Sequence, residues 1–180
     1  APNALDAIVT SPPYANRTDY IRHYLPASEL LLEAAGRDER QVRAQQIGTP
    51  LIRESQPVST LPPALMNLLE EIRTHNSYAS ERYYYKGFLY YFNDMQDALR
   101  CMHLWLRSRG LLMMVVQDTY YKDVYVPTAS LLVELATHIG FQFEGRRDWP
   151  VRQHLSRLSP HSRRVIRNRA LNESVVVFSK

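Results

Sequence analysis

Two adjacent prolines, Pro12 and Pro13, stand directly after the short apolar run Asp6-Ala7-Ile8-Val9-Thr10 and set the strictest limit on how this chain folds. Neither proline has an N–H, so a sheet ladder that reaches them stops there. The run before them is short, apolar and bounded by that stop, which predicts a buried parallel strand over residues 6–10. The backbone just past the strand end is thereby stiffened, with its carbonyls turned outward. Ser11 and Tyr14 flank it, so a small hydroxyl and an aromatic ring sit at one rigid corner. Such a corner suits a planar base. It offers acceptors for an exocyclic amine and a ring to stack on the base's face.

The rest of the chain alternates helical and strand patterns. A helix is expected from Pro26 and Ser28 through residues 29–35, closed by Gly36. Residues 37–63 read as an irregular excursion with one short helix. Apolar positions 65, 68, 69 and 72 have helical spacing. A further helix is expected from about residue 90 to 107, with Met95, Leu99, Met102 and Leu106 in the core and Gly110 as its stop. Residues 111–116 form a second continuous apolar run, with Gln117-Asp118-Thr119 at its end. Residues 127–139 read as a helix entered at Pro127 and closed at Gly140. Residues 141–149 and 174–178 read as strands. Strands separated by helices predict an α/β sheet with right-handed crossovers. No helix-sized apolar stripe separates the last two strands, so an antiparallel pair is expected there. The whole, residues 1–180, reads as one partial domain, with residues 21–92 a helical and irregular insert after the first strand.

Composition narrows the function classes. The 180 residues are enough for one domain with a real core. No stretch approaches the roughly 20 apolar residues of a membrane span, and no basic-then-apolar leader opens the chain. A cytoplasmic protein without a membrane partner is the expectation. The chain leads at once into a core strand, which suggests a fragment or one part of a split protein. Cys101 is the only cysteine, so neither an internal disulfide nor a thiolate-rich zinc site is available. The six histidines show no ligand spacing, and no metal is expected. The formal charge is +4, and six arginines (152, 157, 163, 164, 167 and 169) fall between residues 151 and 172 with no acid among them. A polyanionic partner, nucleic acid, is one reading, since the guanidinium fork matches phosphate. A solvated loop, or arginines paired with acids elsewhere, is the other.

The run 6–14 resembles the catalytic motif of S-adenosylmethionine-dependent DNA amino-methyltransferases. Its Ser-Pro-Pro-Tyr form is most similar to the enzymes that make N4-methylcytosine; adenine-N6 enzymes more often carry Asp or Asn in the first position. The continuation Asn16-Arg17-Thr18-Asp19-Tyr20 also resembles a subset of the prokaryotic N4-cytosine enzymes. So does the later order of helix, Gly110, strand, helix, Gly140-Phe141, strand, arginine-rich loop and a final strand with Glu173. The resemblance implies a partial Rossmann-like methyltransferase sheet. The motif would end its fourth strand, and residues 111–116, 142–149 and 174–178 would match the fifth to seventh. The first three strands of that fold, and the glycine-rich turn that makes most cofactor contacts, have no counterpart here. The cofactor half is therefore expected on another segment or a second chain.

The resemblance also implies roles. Ser11 and the Pro12 carbonyl would accept hydrogen bonds from the amine of a flipped base, with Pro13 stiffening the corner and Tyr14 stacking on the base. Thr10 and Ser11 would touch S-adenosylmethionine. Asn16, Arg17, Asp19 and Tyr20 would shape the pocket or touch DNA; equally, Asn16, Arg17 and Asp19 are turn-forming and ion-paired residues. Arg163, Arg164 and Arg167 would meet phosphates. Asp118 would line the pocket or cap a helix. The tyrosines between residues 78 and 91 form a stacking surface or an aromatic cover on the sheet. Three functions stay open: transfer to cytosine N4, transfer to adenine N6, and a non-catalytic nucleic-acid-binding subunit that keeps the fold. The motif's first residue argues against RNA guanine-N2 and protein glutamine methyltransferases, which usually begin it with Asn or Asp.

Overall fold

In a computed structural model of the chain, residues 2–15, 19–49, 51, 60–151 and 171–180 are described. Four strands form one mixed sheet. β1 (Leu5–Thr10) pairs in parallel with β2 (Leu106–Gln117). A short hairpin of β3 (Thr119–Tyr121) and β4 (Val124–Val126) follows β2 and stands apart from that sheet. The two remaining strands of the sheet are β5 (Gln142–Pro150) and β6 (Asn172–Ser179). β6 lies between β2 and β5, antiparallel to both, so the order is β1-β2-β6-β5. The α/β class and the antiparallel pairing of the last two strands are as the sequence predicts.

The long connection from β1 to β2 holds α1 (Tyr20–His23), α2 (Leu25–Ala34), α3 (Glu39–Gln45), α4 (Pro63–Thr74), a π-helical turn at Ser80–Tyr84, and α5 (Tyr85–Trp105). α2 begins with a proline in its first turn, and Gly36 adopts positive φ just past its end, as expected. α4 buries Leu65, Leu68, Leu69 and Ile72, the four positions its spacing predicts. α6 (Thr128–Ile139) follows the hairpin and ends at Gly140, whose φ of 118° closes the helix in the left-handed region.

α5 and α6 cover one face of the sheet. Tyr91, Phe92, Met95, Leu99, Leu132 and Leu135 pack there over Leu112, Met114, Val176 and Phe178. The aromatic run is therefore mainly a cover: Tyr90 and Tyr91 are buried, while Tyr78 stands 95% exposed. The opposite face carries Ala7 and Val9 of β1 in register with Leu111 and Met113 of β2, which pair onward with Ser179 and Val177 of β6. Among the described residues that face is open: Val9 is 72%, Leu111 47% and Met113 38% exposed.

Two features differ from expectation. β1, expected as a buried strand, has no buried residue among the described ones, and Val9 is 72% exposed, because β1 is the edge strand of the described sheet. Gly110 does not end a helix. α5 stops at Trp105, and Gly110 lies inside β2. Arg109 takes positive φ, the β1–β2 register shifts between Leu5 and Ala7, and a Cβ at Gly110 would lie 2.9 Å from the Arg107 carbonyl and 3.2 Å from that of Asp6. The glycine permits this close backbone approach at an irregularity.

Candidate active site

The Ser11–Tyr14 corner lies just beyond the carboxyl end of β1. The carboxyl end of β2 and the start of β6 lie alongside, because β6 runs the other way. Ligands of open α/β sheets bind outside such strand ends. Thr10 is in register with Met114 and is half-buried. The exposed Ser11 hydroxyl donates to the Val115 carbonyl at 3.2 Å. Its one proton is used there, so the oxygen presents lone pairs outward as an acceptor.

The two prolines are clamped from the core side. Pro12 is buried and Pro13 half-buried. The hydroxyl of buried Tyr91 donates to the Pro13 carbonyl at 2.9 Å, so that carbonyl meets the core helix rather than turning outward as the sequence predicts. Burial pushes the Tyr91 phenol well above its ordinary value, with the Tyr20 phenol adding to the shift, so it stays a neutral donor. The Tyr14 N–H donates to the Tyr20 hydroxyl at 3.1 Å. Gly48, at φ +73°, passes close beneath: a Cβ there would sit 3.5 Å from the Tyr91 ring and 3.6 Å from the Tyr14 carbonyl.

The Tyr14 ring is half-buried, and its phenol is tied to Glu173 at the start of β6. Burial raises the Tyr14 phenol above its ordinary value, and the Glu173 charge, the Tyr20 phenol and the hydrogen bond with Glu173 raise it further. Tyr14 is thus a neutral aromatic ring fixed by its edge, not a base.

Asp19 is occupied by protein groups. It accepts from Arg43 Nη2 at 2.6 Å and Nε at 2.9 Å, from Gln46 at 3.3 Å, and from the Arg22 N–H at the start of α1. Burial alone would raise its pKa, but these hydrogen bonds together hold it below the ordinary value. Tyr20 serves as the support for Tyr14. Asp118 is buried; it accepts from the Tyr125 hydroxyl at 2.5 Å and from the Ala129 N–H at 3.3 Å, and so caps α6 from the strand end. Asn16, Arg17, Arg163, Arg164 and Arg167 lie outside the described residues.

Tyr91, Gly48 and Glu173 complete the corner, and none is a candidate site residue from sequence alone. Tyr91 carries the helical signal of a core aromatic, and periodicity does not reveal where its hydroxyl reaches. Glu173 enters the sequence reading only as part of the final strand. Among the described residues no group of three or more His, Cys, Asp or Glu converges, and no helix is long and apolar enough to cross a membrane. The described residues also form no glycine-rich cradle for a cofactor: Gly36, Gly48 and Gly140 sit at turns and helix ends, Gly110 and Gly145 in strands, and Gly87 in α5. In comparisons with known proteins, no family model matches the chain and no curated protein matches it.

Proposed function

We propose that this chain is the base-holding part of a DNA amino-methyltransferase of the partial Rossmann-like kind, acting on the exocyclic amine of a flipped base, cytosine N4 first. The observation that carries this is the Ser11 hydroxyl. Its proton goes to the Val115 carbonyl, which leaves the exposed oxygen's lone pairs free to accept, and Tyr91 fixes the nearby Pro13 carbonyl. An exocyclic amine is a poor nucleophile because its lone pair is delocalised into the ring. Ser11 Oγ and the Pro12 carbonyl accept its two N–H bonds and favour a pyramidal nitrogen with the lone pair freed. Positioning and electrostatics supply the acceleration, and no strong base is required. Tyr14 stacks on the extruded base and offsets part of the few kcal/mol that flipping costs.

S-adenosylmethionine would supply the methyl group as an electrophilic sulfonium. The residues present fit the amine side of this reaction. For the donor they offer only Thr10 and Ser11 at the strand end, so we assign the donor's main contacts to another segment or a second chain. DNA is the proposed partner, through Arg163, Arg164 and Arg167.

The test is mass spectrometry of nucleosides from DNA treated with the complete enzyme and S-adenosylmethionine. The expected product is N4-methylcytosine, lost in Ser11→Ala while far-UV circular dichroism is unchanged. N6-methyladenine would reassign the base, and full activity in both Ser11→Ala and Tyr14→Ala would sink the mechanism. The missing donor cradle favours one second reading, a non-catalytic subunit; no methylated nucleoside from the complete assembly, with DNA binding retained, would establish it.

A further inference from the structure

A second serine hydroxyl is held against an imidazole, in the turn between α4 and the π-helical segment. His75 caps α4, and Ser77 follows it. Ser77 Oγ lies 2.9 Å from His75 Nδ1, and His75 Nε2 lies 2.7 Å from Asp123 Oδ1 in the β3–β4 turn. The backbone fixes which ring nitrogen is the base. The Ser77 N–H donates to Nδ1 at 3.1 Å, so Nδ1 carries the lone pair and Nε2 the hydrogen, which goes to Asp123. The imidazole also packs edge-on against the Tyr121 ring, with 5.5 Å between centroids.

The Ser77 hydroxyl has two further neighbours, Tyr121 Oη at 2.7 Å and Ser80 Oγ at 2.9 Å. Ser80 gives its own proton to the Ser77 carbonyl. Among these partners of the Ser77 hydroxyl only Nδ1 is a base. Ser11 differs in this respect, since its proton goes to a carbonyl. His75 and Ser77 are half-buried and line a pocket of about 360 Å³, much of whose wall is residues 78–82. That volume lies in the range of small-ligand sites. The wall is irregular backbone: Ala79 takes φ +62° and opens the π-helical turn at Ser80–Tyr84. Left-handed non-glycine residues and π turns cluster at functional sites.

The geometry points to a second reactive centre, in which Ser77 is a nucleophile for small esters, His75 is its base, and Asp123 is the positioning residue that holds the imidazole. Ser77 Oγ bonds to the ester carbonyl carbon as its proton passes to His75 Nδ1. Tyr121 Oη, beside the attacking oxygen, donates to the oxyanion. The ester C–O bond breaks, the leaving alkoxide takes the proton from Nδ1, and Ser77 is left acylated. Water then adds by the same route; its proton passes to Nδ1 and on to Ser77 as the carboxylic acid leaves. The order of hydroxyl, imidazole and carboxylate is that of serine hydrolases, with the two ring nitrogens exchanged. No step draws on the Ser11 corner, so the inference stands or falls apart from methyl transfer.

An alkyl fluorophosphonate tests this on the full chain. Ser77 Oγ bonds to phosphorus, the P–F bond breaks, fluoride leaves and the proton goes to His75. Peptide mass spectrometry is expected to place the adduct on Ser77, and unfolding in urea to abolish it. His75→Gln should slow labelling by at least about 100-fold, the lower end of what a general base contributes, with far-UV circular dichroism unchanged. Asp123→Asn should slow the covalent step and leave the probe's reversible binding constant unchanged. The site of the adduct is read on the unaltered chain, so the result does not hang on the folding of a variant. No adduct, an adduct on Ser80 or elsewhere, equal labelling in urea, or full-rate labelling of His75→Gln overturns the assignment.

Discussion

At the scale of single residues, the corner works through hydrogen bonds whose direction is settled. Tyr91→Phe keeps the ring and removes the donor to the Pro13 carbonyl. Leaving that partly buried acceptor without its donor costs about 1–3 kcal/mol, measurable by urea denaturation, and transfer should fall with little change in DNA affinity. Tyr14→Phe keeps the stacking face but cuts the tie to Glu173, so it should retain more base binding than Tyr14→Ala; a stacked base is worth about 1–3 kcal/mol. A fluorescent abasic or mismatched duplex reads that difference directly. Asp19 gives a pH prediction. Its folded pKa lies below the ordinary 3.8, so its contribution to stability is fully present above that value and lost as pH falls through the lower folded value. Asp19→Asn should therefore lower stability at neutral pH and flatten the acid limb of the stability curve. Ser11-Pro12-Pro13-Tyr14 is legible in the sequence because prolines act on their own backbone. The groups that aim the corner are not, since Tyr91 and Glu173 reach it across the fold. Asp19 is equally open to turn, ion-pair and substrate roles until Arg43 and Gln46 are placed beside it.

Among the elements, strands and helices with strong periodicity appear where the sequence puts them: β1, β2, α4, α6, β5 and β6 each fall on an expected segment. The start of β2 does not. Leu106 continues the apolar helical spacing of α5, yet the chain turns extended there and pairs with β1, where Gly110 passes close to the Asp6 carbonyl. The β3–β4 hairpin also escapes a sequence reading, because its turn carries Lys122 at positive φ where a glycine or asparagine would have announced it. It is held instead by side chains: Tyr121 Oη lies 2.7 Å from Ser77 Oγ and 2.6 Å from Ser80 Oγ, and His75 Nε2 2.7 Å from Asp123 Oδ1. The two strand glycines separate these effects in one experiment. Gly110→Ala forces a Cβ against fixed backbone and should cost about 1–3 kcal/mol as overpacking. At Gly145 no atom lies within 4 Å of the added Cβ, so Gly145→Ala should be near neutral. Thermal melts of the two variants check the pair.

For the whole molecule, charge and topology act together. If the basic stretch meets DNA, replacing Arg163 and Arg164 by Ala should reduce the slope of log affinity against log salt by about 0.9 for each phosphate no longer neutralised, as filter binding over a salt series would show; an unchanged slope removes those residues from the interface. Topology sets a different demand. β6 is the last strand in the sequence and an inner strand of the sheet, and β5 pairs with no described strand but β6. β1 in turn waits for β2, about a hundred residues on in the chain. During synthesis, then, the sheet stays an unzipped pair of pieces until the final strand emerges from the ribosome and slides between them. Glu173 reaches Tyr14 only at that moment. A ribosome that stalls a few codons short of β6 would hold a chain with its helices formed and its Tyr14 ring untethered from Glu173, prone to aggregation through bare strand edges.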